Sequence, residues 1–224
     1  MPPREIATAE GFVLAGGRSS RMGTDKALAL FAGKPLIATA LATLRDAGLQ
    51  ARIAGSRSPL DAYGEPIPDT FTSAGPLAGI HAALTASASD LCLFLPVDMP
   101  LMPPALLRCL LQRARLTGAP VTVARLNGRV EPFPVVLSRQ TAPYIIERLK
   151  SEHASCHAAW REIPALLGEQ PDAVSIEHLV SSGHLPLSTG IPPIWCFLSA
   201  NTPSDLAWMS RLWDRIQRLP GEIA

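Results

Sequence analysis

Short apolar runs alternate with longer helical stretches along the first half of the chain. Gly11-Phe-Val-Leu-Ala15 has the length and character of a strand. Pro35–Arg45 is rich in helix formers, with a proline at its first turn and Gly48 as a stop. Ala51–Ala54 predicts a second strand, and Pro76–Ala86 a second helix with Gly75 just before it. Leu91–Leu95 is continuously apolar, as expected of a strand buried on both faces of a parallel sheet. Pro103–Leu116 predicts a third helix and Pro120–Ala124 another strand. Strands alternating with helices in this way imply an α/β fold, with a mostly parallel sheet and right-handed crossovers.

Past Arg125 the alternation weakens. Pro134–Leu137 reads as a strand, and Gln140–Lys150 and Cys156–Leu167 as helices. Leu185–Pro193 is irregular, Ile194–Leu198 is expected to be a last strand, and Ser204–Leu219 a closing helix set between Pro203 and Pro220. No repeat, low-complexity tract or linker divides the chain. Residues 1–224 therefore read as one domain, with 1–9 as a flexible lead-in.

The chemistry concentrates just after the first strand, in Leu14-Ala-Gly-Gly-Arg-Ser-Ser-Arg-Met-Gly-Thr-Asp-Lys26. An α/β domain binds phosphates at the carboxyl end of a strand. Gly16 and Gly17 can turn their N–H groups inward around an anion. Arg18, Arg21 and Lys26 supply cations close behind. The spacing is neither the dinucleotide fingerprint nor the P-loop, since Ala27 stands where Ser or Thr would follow the lysine. Asp98 directly follows the buried run Leu91–Leu95, with Pro96 and Pro100 stiffening its turn. It is placed to ligate magnesium beside the phosphate loop, and is too far from the next helix to cap it directly.

Composition narrows the partners. The net charge of +1 leaves no general basic field for nucleic acid or an anionic membrane, so any cationic site must be local. No run of about 20 apolar residues is present to span a bilayer, and Met1–Ile6 lacks the apolar core of a secretory signal. The four cysteines form no Cys-x-x-Cys pair, which fits a reduced, cytoplasmic protein. Cys92 reads as a buried small hydrophobe. Cys156 and His157 with His153 lack a second ligand pair for a metal.

Three further blocks follow in order: Asp69 with Gly75-Pro-Leu-Ala-Gly-Ile80, Pro96-Val-Asp-Met-Pro100, and Asn201-Thr-Pro-Ser-Asp-Leu206. Taken with them, the first segment resembles the signature of the molybdenum cofactor guanylyltransferases. The resemblance implies a Rossmann-like, three-layer α/β/α nucleotidyltransferase domain. It implies transfer of GMP from MgGTP to the phosphate of molybdopterin, releasing pyrophosphate and forming molybdopterin guanine dinucleotide. Arg21 and Lys26 would hold the β- and γ-phosphates, and Asp98 the Mg2+. Leu14, Ala15, Gly16, Gly17, Asp69 and Gly75 would contact the nucleotide. Asn201 either completes the metal site or caps the final helix. Asn127–Pro134 would lie where relatives receive the pterin phosphate. Molybdenum-insertion and molybdoenzyme proteins would be downstream partners.

Two positions depart from the family pattern. No asparagine occurs in Arg52–Arg57 after the second strand, so Ser56 or backbone groups would have to meet the base there, and Ser199 stands where asparagine is common. The cytidylyltransferases of the same fold usually carry Ala-Gly where Gly16-Gly17 stand. A sugar-phosphate nucleotidyltransferase would need room that 224 residues hardly provide. A GTP-binding cofactor chaperone without catalysis is the reading from a different class. Asp25 is expected to fix the loop through its backbone or through an adjacent cation rather than a metal, Met22 to pack beneath it, and His81 to lie on the surface of the second helix.

Overall fold

Alternation along the central strands sorts the apolar side chains into two cores on opposite faces of one sheet. The computed structural model of the chain describes residues 7–16, 25–55, 58–64, 66–68, 71, 75–151, 155–187 and 191–218. The chain enters through β1 (Ala9–Leu14), a small hairpin of β2 (Leu30–Phe31) and β3 (Lys34–Pro35), then α1 (Leu36–Asp46) and β4 (Gln50–Ala54). Next come β5 (Pro66–Ile67), α2 (Pro76–Ala86), β6 (Leu91–Pro96), α3 (Pro104–Thr117), β7 (Val121–Leu126) and β8 (Arg129–Ser138). It ends with α4 (Ala142–Lys150), α5 (Cys156–Leu166), β9 (Asp172–Ser175), α6 (Ile176–Ser181) and α7 (Pro203–Gln217).

Among the described residues the main sheet has the order β5-β4-β1-β6-β8-β7-β9. Only β8 runs against the others, paired antiparallel with β6 and β7. The remaining pairings are parallel. Val13, Leu93 and Leu95 face a core completed by Leu36 and Leu41 of α1, Leu106 and Leu110 of α3 and Met209 of α7. Phe12, Cys92, Phe94 and Val135 face the other, with Leu77 and Ile80 of α2, Ile145 of α4 and Trp160 of α5. The three-layer α/β/α expectation therefore holds. Cys92 is buried as expected, and burial pushes its thiol up to about 11.

Three expectations are corrected. Ile194–Leu198 is not a strand: Pro193–Phe197 forms a 3-10 turn. Its apolar run has no periodicity to tell strand from turn, and Pro192 and Pro193 have no N–H for a ladder. Trp195 N–H instead bonds Pro192 O and Leu198 N–H bonds Trp195 O. The lead-in does not extend to residue 9. Thr8 N–H donates to Asp90 Oδ2 at 2.9 Å, and β1 begins at Ala9. The segment after α5 contains β9 and α6, which the pattern did not announce. β9 is a short edge strand whose residues are all half-buried, so it shows no clean alternation. Arg113 of α3 holds it with bonds of 2.8 and 3.0 Å to the two Asp172 oxygens.

The order of the strands creates the site. From β1 the chain crosses to β4 on one side, and later returns to β6 on the other. Such a reversal opens a crevice at the carboxyl ends of the strands.

Candidate active site

That crevice holds a cavity of about 270 Å³. Its floor is made by Ala54 at the end of β4, Leu14 and Gly16 at the end of β1, and Pro96 and Val97 at the end of β6. Gly75, Pro76 and Gly79 close it from the start of α2. Gly75, with φ +66°, takes a backbone conformation that favours glycine, and so admits the chain into α2 without a side chain in the cavity.

Lys26 opens a 3-10 turn, Lys26–Leu28, which Asp25 caps by accepting from Ala27 N–H at 3.0 Å. Of the contacts expected of Asp25, this one is to the backbone, within the turn that follows the loop. The turn aims the lysine at the end of β6. Lys26 Nζ donates to Asp98 Oδ2 at 2.5 Å and to Asn201 Oδ1 at 3.0 Å. Residues 72 and 175 positions from Lys26 thus meet around one ammonium, and Lys26 and Asp98 are only 16% and 19% exposed.

Backbone bonds lock these segments together. Val97 N–H donates to Leu14 O at 3.1 Å, and Ala200 N–H to Asp98 O at 2.8 Å. The start of α7 is capped by Thr202, whose hydroxyl accepts from Asp205 N–H while Asp205 accepts from Thr202 N–H. Asp205 also accepts from Asn201 N–H at 2.9 Å, the foremost cause holding its carboxyl below the usual range. Of the two roles left open for Asn201, the capping one falls to Thr202, while the Asn201 side chain accepts from Lys26.

Gly17, Arg21, Met22, Ser56, Asp69 and His153 lie outside the described residues. His81 is not a surface residue. It is buried on α2, with its ring edge-on to Phe71 at 6.1 Å, and burial lowers its pKa. The pattern misled because α2 is apolar nearly all round, so no helix face was marked as solvent. Asn127-Gly128, with φ +50° and +76°, makes a two-residue hairpin turn between β7 and β8. Arg129 is exposed beside it and does not line the cavity. Among the described residues no three His, Cys, Asp or Glu side chains gather as a metal cluster.

Two shaping residues, Gly55 in Arg52–Arg57 and Phe133 in Asn127–Pro134, lie in stretches the resemblance had marked but were not themselves singled out. Gly55 has φ +107°, and a Cβ there would stand 3.2 Å from Gly16 N. The end of β4 therefore presses directly on the backbone of Gly16, just past β1. Phe133, between two prolines of β8, lines the cavity.

Residues 11–168 match the MobA-like NTP transferase domain. The chain belongs to this transferase family. A probable molybdenum cofactor guanylyltransferase from Pelotomaculum thermopropionicum is 30% identical over 200 residues, covering 88% of this chain and 90% of that protein. The molybdenum cofactor guanylyltransferase of Rhizobium meliloti is 31% identical, covering 91% and 93%. The solved structure of molybdopterin-guanine dinucleotide biosynthesis protein A from Archaeoglobus fulgidus shares the fold, with a TM-score of 0.73 at 21% identity over 92% of this chain and 99% of that one. This MobA-like transferase is accordingly an enzyme of the nucleotidyltransferase class. No helix among its described residues is long and apolar enough to cross a membrane.

Proposed function

We propose that this transferase moves GMP from MgGTP to the phosphate of molybdopterin, releasing pyrophosphate and forming molybdopterin guanine dinucleotide in the cytoplasm. The observation that carries the reading is the meeting of Lys26, Asp98 and Asn201 at the end of β6, inside the strand-end cavity. The curated relatives named for guanylyl transfer support the base and the acceptor.

The donor set suits magnesium. A carboxylate and a neutral amide oxygen converge on one point, where the Lys26 ammonium already sits between them as a cation. Asp98 would hold Mg2+, with Asn201 as a neutral second oxygen. The ion, when bound, neutralises charge on the phosphate undergoing attack. Lys26, together with Arg21, would bind the β- and γ-phosphates and stabilise pyrophosphate as it leaves. The backbones of Leu14–Gly17 would cradle the nucleotide, with Asp69 and Gly75 on its nucleoside side. A phosphate monoester is already ionised and nucleophilic at neutral pH, so the acceptor needs placement rather than a general base. Molybdenum-insertion and molybdoenzyme proteins would receive the product.

Pyrophosphate release with Mg2+ and molybdopterin, compared for GTP, CTP, ATP and UTP, tests the reading. Release with GTP alone, abolished in Asp98→Ala, is expected. Preference for CTP would overturn the base assignment and keep the mechanism. Binding of MgGTP without release would identify a cofactor chaperone, and release only with a sugar phosphate a different acceptor class.

A further inference from the structure

Phe133 is presented to the cavity by an interruption in the sheet. β8 pairs with β7 at Val123↔Val135, and the next pair is Ala124↔Glu131. Pro132, Phe133 and Pro134 therefore have no partner on β7. The β6–β8 ladder also stops at Phe94↔Val135. Neither proline can donate to a ladder, so the break is written into the sequence. Bulges of this kind beside an active site redirect a side chain. Here the redirected side chain is the aromatic ring that lines the cavity with Val97 and Asp98.

The bulge is braced from below. Trp160 of α5, 1% exposed, donates its indole N–H to Pro132 O at 2.9 Å. Its ring meets that of Phe133 edge-on, with centroids 6.4 Å apart and planes at 87°. Phe133 is half-buried and also packs against both cores. It is a fixed wall rather than a loose surface ring.

Sheet order says which side of the reaction the wall serves. The cavity's contributors run Ala54 on β4, Leu14 on β1, Asp98 after β6, and Phe133 on β8. With strands about 4.8 Å apart, Phe133 lies about 14 Å across the sheet from the β4 end. Asp98 stands between them. The glycine-lined β4–α2 side suits the nucleoside, which leaves Phe133 on the far side of the metal-binding carboxylate.

We infer that Phe133 is the platform against which the ring system of the acceptor, a flat conjugated heterocycle bearing a phosphate monoester, packs during transfer, with Trp160 as a positioning residue acting through it. The inference rests on the proposed acceptor, and adds the surface that orients it. Offset or edge-to-face packing on Phe133 fixes the plane of the heterocycle, and so the approach of its phosphate.

The experiment compares wild type with Phe133→Ala, Phe133→Tyr and Trp160→Phe. It reads GTP affinity without acceptor, molybdopterin affinity by calorimetry without nucleotide or Mg2+, and steady-state KM and kcat. Phe133→Ala is expected to weaken molybdopterin binding and raise its KM about tenfold. GTP affinity should stay within about twofold of wild type. Phe133→Tyr should restore acceptor binding, and Trp160→Phe, which keeps a ring but loses the N–H bond to Pro132, should show a smaller rise in the same KM. Unchanged acceptor affinity in Phe133→Ala, or a loss falling on GTP instead, overturns the inference while leaving the transfer reaction intact. A wild-type protein that neither binds molybdopterin nor makes product from it overturns the proposed function and this inference together. Circular dichroism of each variant separates loss of fold from loss of contact, and a Phe133→Ala chain that fails to fold leaves Phe133→Leu, which keeps the apolar volume without the ring, to give the same readout.

Discussion

Substituting Gly55 by alanine should disturb the end of the cavity formed by β4 and β1 without touching a charged group. Two costs add. The backbone sits at φ +107°, where an L side chain is strained by about 1–3 kcal/mol. The new Cβ would also stand 3.2 Å from Gly16 N, 3.4 Å from Gly16 Cα and 3.6 Å from Ala15 C, all backbone atoms. Neither side can give easily. Gly55 N–H is bonded to Ile67 O at 2.9 Å, and Ala15 N–H to Ala54 O at 3.1 Å. Overpacking against pinned atoms adds about 1 kcal/mol, for a total of about 2–4 kcal/mol. In a chain of this length that lowers the melting temperature by about 5–15 °C. Gly16 lines the cavity, so GTP affinity should fall several-fold alongside. Thermal denaturation followed by circular dichroism, with GTP titration below the transition, measures both. A variant that melts within about 1 °C of wild type and binds GTP equally well would refute the claim that the end of β4 and Gly16 are in obligatory contact.

Lys26→Met keeps the length of the side chain but removes the charge shared by Asp98 and Asn201, and should reduce GTP-dependent pyrophosphate release by about a hundred- to a thousandfold. Retention of turnover within about threefold would remove Lys26 from the mechanism. Glu177 gives a pH prediction: the N–H of Asn127 is the first of the bonds that hold its carboxyl below the ordinary value of 4.5. A depressed folded-state pKa contributes stability that is present above the unfolded value and lost as pH falls through the folded one. The melting-temperature advantage of wild type over Glu177→Gln should therefore be full at neutral pH and vanish on acidification below about 4.5, whereas an advantage independent of pH would rule out ionisation as its source.

The parts of the site legible in the sequence are those whose chemistry is local. Gly16, Asp25 and Lys26 lie in one segment, and the glycine, capping aspartate and lysine each act through bonds to near neighbours or through a charge that any reader can see. Asp98 was legible because a carboxylate straight after a buried apolar run must emerge at a strand end. Asn201 was half legible. Its block was visible, but whether its side chain capped α7 or entered the site depended on Thr202 and Asp205 forming the reciprocal cap themselves. Phe133 and Gly55 lay inside stretches the resemblance had marked, Asn127–Pro134 and Arg52–Arg57, but neither was singled out, since an aromatic between prolines and a glycine after a strand are ordinary in isolation.

The alternation of short apolar runs with helical stretches was enough to determine an α/β fold and a parallel core sheet, because hydrophobic periodicity is a property of neighbouring residues. Tertiary structure alone decided the order β4-β1-β6-β8, the close approach of Gly55 to Gly16, the placing of Phe133 at the cavity, and the burial of His81. It also decided that an ammonium, a carboxylate and an amide from positions 26, 98 and 201 meet at one point. These are relations between distant segments. They are set by which strands pair and which faces pack, and the hydrophobic pattern of any one segment is compatible with many such pairings.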